Sequence, residues 1–192
     1  MKVFILLFTL ALGACSFFGK QAPLSPHYYD AAPSSEGGQV APSGQALRLG
    51  HVVGASHLRE RVAYHVSERE LAFYEDRRWT ELPENYLRRA LVHELFERRG
   101  LTQVVSGVAP TLEVELTDFS ELTGSKHGVR AKLRAMLVDA RAVHFEHTFV
   151  AEVAVAGNDF DGVPQALGEA LAQLVSQVAE RVIGALPLPT TP

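Results

Sequence analysis

The chain has 192 residues, 47% hydrophobic and 21% charged, which is the composition of a globular protein long enough for one domain and a tail. Its 18 Lys and Arg against 22 Asp and Glu give a net charge of −4, which excludes the basic footprint that nucleic-acid binding requires. The single cysteine, Cys15, excludes an intramolecular disulfide.

At the N-terminus, Lys2 precedes an apolar run from Val3 to Leu12 and the small residues Gly13 and Ala14. A basic start, a short apolar run and a small-residue site read as a secretory signal over residues 1–14. The run is well short of the roughly 20 apolar residues that span a bilayer. Leu12-Gly13-Ala14-Cys15 is similar to a bacterial lipobox, in which the cysteine is lipidated and becomes the first mature residue. An ordinary secretory signal would leave the lone cysteine unexplained, whereas lipidation accounts for it. Two or more acyl chains give stable membrane anchoring. The residue after the cysteine is Ser16 and not the Asp that marks inner-membrane retention in such proteins, so the periplasmic face of the outer membrane is expected.

Residues 15–45 form the lipidated N-terminus and a tether rich in Pro, Gly, Ser and Ala, with too little apolar surface to offset its ordering entropy. His27-Tyr28-Tyr29 interrupts it, either as a short strand at 27–30 or as an aromatic pair in a loop. The main domain is expected over residues 46–186, with a tail at 187–192. Ala46 to Val53, Val62 to Val66 and Leu71 to Tyr74 read as strands. A helix follows, with Thr80 as candidate N-cap, Pro83 in the first turn, and Arg98, Arg99 and Gly100 as stop signals. Tyr86, Leu87, Ala90, Leu91 and Leu95 give it one apolar face. Leu101 to Val105 reads as another short strand.

The most regular stretch comes next. Leu112, Val114 and Leu116 alternate with Glu113, Glu115 and Thr117. Val129, Ala131, Leu133, Ala135 and Leu137 alternate with Arg130, Lys132 and Arg134, and Phe145, His147, Phe149, Ala151 and Val153 with Glu146, Thr148 and Glu152. This is a three-stranded meander with turns at Thr123-Gly124-Ser125 and Asp139-Ala140-Arg141, apolar on one face only. Its outward charges run acidic, basic, acidic, so opposite charges face each other across the ladders. From Val163 to about Leu186, Leu167, Leu171, Leu174, Val178 and Val182 form the stripe of a long helix with Asp161 as a possible cap. The expected fold is α+β, a two-layer sandwich of a mostly antiparallel sheet with two helices packed on one face.

No motif for catalysis emerges. His144 and His147 point to opposite faces of their strand, and no His-Glu-x-x-His or Gly-x-Ser-x-Gly pattern occurs. Glu113 and Glu115 share a face but have cross-strand basic partners. No metal, cofactor or enzymatic activity is therefore expected. Phe73, Tyr74, Arg77, Arg78 and Trp79 have the composition of interface anchors, or else the aromatics pack the helix onto the sheet.

The run Val66-Ser67-Glu68-Arg69-Glu70-Leu71-Ala72-Phe73-Tyr74-Glu75-Asp76-Arg77-Arg78-Trp79 resembles the signature of the PqiC-like ABC-type transport auxiliary lipoproteins. Leu82-Pro83, Leu137 to Arg141, Phe149 to Val153, Asn158-Asp159 and Tyr28-Tyr29 extend the resemblance over nearly the whole chain beyond the signal. Ala142-Val143 after Arg141, where Thr-Gly is usual, and the insertion from Ala32 to Gly44 depart from it. The resemblance implies a non-catalytic lipoprotein working with an MCE-domain periplasmic protein and an inner-membrane permease, sometimes with an ATPase, in moving lipid or another hydrophobic compound between membranes. It implies a docking role at the outer membrane, with Phe73, Tyr74, Arg77, Arg78 and Trp79 as the candidate contact. It is compatible with a homo-oligomer. Two other readings stay open: a periplasmic carrier of one lipid or small amphiphile, and an assembly lipoprotein for an outer-membrane complex. An apolar pocket lined by both layers would favour the carrier, and a filled core with an exposed aromatic patch the docking protein.

Replacing Cys15 by Ser should leave an uncleaved, unlipidated precursor, read by labelling cells with radioactive palmitate. Undiminished incorporation in the variant would overturn the lipoprotein reading.

Overall fold

A computed structural model describes residues 24–33, 40–124, 126–157 and 159–186. Cys15 and the rest of the lipobox, Asn158 and the tail at 187–192 lie outside the described residues. Eight strands form one sheet: β1 (His27–Tyr29), β2 (Ala46–Gly54), β3 (Arg61–Ser67), β4 (Glu70–Trp79), β5 (Thr102–Gln103), β6 (Thr111–Leu122), β7 (Gly128–Val138) and β8 (Val143–Ala154). Helix α1 (Pro83–Val92) continues into a π-helical turn at His93–Arg98, and α2 (Gly162–Ala185) closes the fold.

The alternating stretch behaves as its period demands. In the β6–β7–β8 meander, Leu112 faces Leu137, Leu116 faces Leu133, and Leu133 faces Phe149. These residues are buried under the helices, together with Leu167, Leu171, Leu174 and Val178 of α2. The other face carries the expected charges: Arg130 binds Glu152 at 2.7 Å, and Arg134 binds Glu146 at 2.5 Å. The second hairpin turn is held by Asp139, whose carboxylate accepts the backbone N–H groups of Arg141 (2.7 Å) and Ala142 (2.9 Å). These bonds, with one from His144, draw its pKa down to about 2. The turn therefore needs no Thr-Gly.

The pairings outside the meander are not visible in any local pattern. The second edge of β6 is divided between two strands, both parallel to it. Strand β2 takes the first half and β3 the second, with β4 antiparallel to β3 and β1 parallel to β4. Helix α1 packs on β2 and β6, and α2 on β7 and β8, all on the same face. The sheet is thus mostly antiparallel, with parallel joints where β2, β3, β1 and β5 attach.

A bulge in β2 between Leu49 and Val52 leaves His51 without a ladder partner for its N–H. The Glu113 carboxylate accepts that N–H at 2.6 Å, and a Cβ on Gly50 would overlap the same carboxylate. Glu113 therefore serves the backbone of the neighbouring strand and faces His51 rather than a basic residue of β7.

Helix ends correct one expectation. Thr80 is not the N-cap of α1. Leu82 holds that position, followed by Pro83, while the Thr80 hydroxyl bonds the Tyr86 phenol at 2.8 Å. Asp161 sits at the start of α2 but makes no side-chain cap bond. The stop at Gly100 is as expected, with φ of +67° where a Cβ would overlap the Ala41 carbonyl. Val40 and Ser43 donate to Glu97 and Gly100 there, so the chain before β2 lies against the end of α1. In the π-helical turn the buried Glu94 accepts from Arg98 and Arg99, both at 2.8 Å, and Arg99 reaches Ser176 and Glu180 of α2. The strand expected at Leu101 to Val105 is only two residues long.

Leu133→Ala should destabilise the fold by about 2–5 kcal/mol in urea unfolding, because its side chain is in the closed core. Its neighbour Lys132, on the other face, should tolerate Ala within about 0.5 kcal/mol. Equal losses at both positions would contradict this register.

Candidate partner-binding surface

The candidate contact residues lie on β4, whose pairing with β3 is strongly bulged. Ala63 pairs with Phe73 and Arg61 with Arg78, so the single residue Val62 spans what Tyr74 to Arg77 span on β4. Carbonyls in such a bulge lose their ladder donors and require others. Arginine side chains supply them. Arg61 donates to the carbonyls of Phe73 and Tyr74 at 3.2 Å each, and Arg78 to those of Tyr74 (3.2 Å) and Arg77 (3.0 Å). The density of arginine in this stretch thus has a local structural cause.

The bulge distributes the five residues over both faces of the sheet. Phe73 and Arg78 lie on the face away from the helices, alongside Arg61, whose guanidinium is 5.7 Å from the Phe73 ring centre. Tyr74, Arg77 and Trp79 turn to the helix side. Trp79 is 2% exposed and packs against Tyr86 of α1 and Phe119 of β6, with ring centres 6.4 and 5.4 Å away. As a core residue, Trp79 is unavailable to any partner, which corrects its inclusion in an exposed contact. Arg77 is held between the rings of Tyr74 and Phe160, 4.0 and 4.1 Å from their centres. Tyr64 and Tyr29 extend the stack, 4.6 Å from Tyr74 and 4.7 Å from Phe160.

Beneath this stack is a polar chain. Glu121, 5% exposed, accepts from the Tyr74 phenol and binds His127, both at 2.7 Å. The other nitrogen of His127 reaches the Gly157 carbonyl at 3.1 Å. An imidazolium satisfies both acceptors at once, so the Gly157 carbonyl foremost, and Glu121 with it, raise the His127 pKa against a smaller desolvation effect. Burial, reinforced by Glu121, pushes the Tyr74 phenol far above its ordinary value. The chain ties β4 and β6 to the start of β7 and to the segment leading into α2. It is a structural clasp, and each member has its hydrogen bonds supplied by the others.

Sequence reasoning missed Arg61, Glu121, His127 and Phe160. One signal was available for Glu121. The core positions of β6 are even-numbered up to Leu116 and odd-numbered from Phe119, and that parity change marks the bulge that turns Glu121 to the core face. Of the histidines considered for chemistry, His144 binds Asp139 at 2.7 Å and His147 packs against Phe149. Among the described residues no group of three or more His, Cys, Asp or Glu is placed to hold a metal ion.

Leu112, Leu116, Leu133, Leu137, Leu167 and Leu171 are wholly buried between the layers. A groove of about 330 Å³ where α2 meets the start of β8 has Glu180 and Arg181 on its rim. No helix among the described residues is long and apolar enough to cross a membrane.

Known proteins agree with this architecture. The structure is similar to that of a Xanthomonas campestris protein of the family DUF330, with 18% identity and a TM-score of 0.67 over 83% of this chain and 95% of that one. It is also similar to an uncharacterized protein at 17% identity and TM-score 0.65, covering 82% of this chain and 99% of the other. A hypothetical protein of Chlamydia trachomatis shares the fold at 9% identity and TM-score 0.53, covering 73% and 96%. No curated protein matches the sequence. A family model, described as the ABC-type transport auxiliary lipoprotein component, matches residues 29–179, from β1 into the last turns of α2. The chain belongs to the family of ABC-type transport auxiliary lipoprotein components.

Proposed function

We propose that this protein is a non-catalytic outer-membrane lipoprotein of an ABC/MCE-type transport system, anchored through Cys15 and docking an MCE-domain periplasmic protein. The match to the transport auxiliary family over residues 29–179 carries this reading. The lipobox ending at Cys15 and the Ser16 that follows support the anchor and the outer membrane. The leucine-filled interior supports docking over the carriage of a lipid inside the fold, since a carrier needs an apolar cavity between its layers. The transported compound would then pass through the partner assembly, with this domain as its fixed point at the membrane.

The docking surface in this reading is the helix-free face around Phe73, Arg61 and Arg78. An aromatic ring with a guanidinium beside it is the composition found at interface hot spots. Tyr74, Arg77 and Trp79 contribute from behind, because they hold β4 in its bulged shape.

Arg61→Gln with Arg78→Gln keeps hydrogen-bond donors for the bulge carbonyls while removing both charges. The thermal melt of this variant should stay close to that of the parent, and pulldown of the MCE-domain protein should fall. Arg77→Glu should instead lower the melting temperature, as it removes the cation between two rings. Full-strength pulldown by the stably folded Gln variant would remove this face from the docking reading.

A further inference from the structure

The loop between β5 and β6 carries the most exposed apolar side chains of the described residues. Val105 is 87% exposed and Val108 is 101% exposed. The loop is not free to fold them away. The Val104 N–H donates to the Leu47 carbonyl at 3.0 Å, the Arg48 N–H to the Pro110 carbonyl at 2.9 Å, and the Arg48 guanidinium to the Gly107 carbonyl at 2.6 Å. Gly107 has φ of +92° and nothing within 4 Å of where a Cβ would stand. The backbone thus holds both valines outward.

Two charge-free stretches meet on this side of the fold. Gly100 to Leu112 contains no Asp, Glu, Lys, Arg or His, and neither does Val40 to Leu47, which is bonded to the end of α1 beside it. Val40 is itself exposed, and a shallow groove of about 510 Å³ runs between Val40, Pro42, Phe96 and Leu101. The charged group that reaches this loop is Arg48, whose guanidinium is engaged by the Gly107 carbonyl.

We propose that this side of the domain, led by Val105 and Val108, rests on a lipid bilayer and inserts the two valines into its interface. The inference builds on the reading of Cys15 as a lipid anchor. Leu24, where the described chain begins, is nine positions after Cys15, and an extended chain of that length spans at most about 30 Å. The domain is therefore kept within about its own diameter of the membrane, and one of its sides must face it. At a bilayer interface, outward apolar side chains are buried at the boundary between headgroups and acyl chains. A protein hot spot, by contrast, calls for aromatic and arginine anchors and makes little use of valine. The exposed valine loop fits the former, while the Phe73–Arg61–Arg78 face on the helix-free side of the sheet fits the latter. The two surfaces would let the domain lie on lipid and hold a partner at the same time.

The test uses the full, acylated chain in phosphatidylethanolamine–phosphatidylglycerol vesicles. With Cys15 acylated, Val108→Cys provides the one free thiol for an environment-sensitive fluorophore, and Thr148→Cys on β8 serves as the reference position. The expected result is a blue-shifted emission at position 108, quenched by lipids brominated in their acyl chains, with neither effect at 148. A probe at Ser106→Cys should be quenched likewise, and Val105→Asp with Val108→Asp should abolish that quenching while the melting temperature stays unchanged. Vesicle flotation reads the anchor separately. Flotation without quenching at 108 overturns this inference and leaves the anchor standing, whereas loss of flotation overturns both. Shielding of position 108 by the MCE-domain protein, with no quenching by brominated lipid, would assign the loop to a protein contact and also overturn the proposal.

Discussion

Strand β6 has backbone donors and acceptors on both edges, and both edges must be paired because the strand runs through the middle of the fold. Its antiparallel edge is served throughout by β7, and its other edge is divided between β2 and β3. Between those two, the N–H of Ala55, just past β2, donates to the Leu116 carbonyl at 2.8 Å. Both neighbours run parallel to it, end to end along that one edge. Strands β4 and β1 lie outside β3, and α1 packs on β2. The helices then cover the single apolar face that the alternation of β6, β7 and β8 creates.

Among the described residues, the buried carboxylates Glu94 and Glu121 come in satisfied sets. Glu94 is buried with two arginines from its own helix end, one of which reaches α2. Glu121 is buried with a phenol and an imidazole drawn from β4 and the β6–β7 turn. An unpartnered carboxylate at either place would be expensive, so each set holds its elements in register as well as supplying hydrogen bonds. The two sets lie at different joints of the fold, one between the helices and one between the sheet and the segment entering α2. Glu113 does comparable work in the open, filling the β2 bulge that Gly50 makes room for.

The bulge in β4 shows how one segment can serve the interior and the surface together. Three residues beyond the ladder turn Arg77 and Trp79 inward and leave Phe73 and Arg78 on the opposite face. The aromatic residues divide between burial and display, and composition by itself could not have assigned them.

What the sequence by itself determined is what depends on neighbours a few positions away. The period of two in Leu112–Leu116, Val129–Leu137 and Phe145–Val153 set the faces of the meander, since a one-residue slip would expose a whole row of leucines. The three- and four-residue spacing of Tyr86 to Leu95 and Leu167 to Val182 set the buried stripes of the helices. The run from Val66 to Trp79 was enough to point to the family. Only the tertiary structure decided that β2 and β3 lie parallel to β6, because their partners are distant in the chain and nothing in their own residues encodes direction. It alone placed Phe160 and His127 beside β4, and it alone separated Trp79 and Arg77 from Phe73 and Arg78. A bulge arises when the ladders on a strand's two edges demand different lengths, and that mismatch exists only once the strands have met.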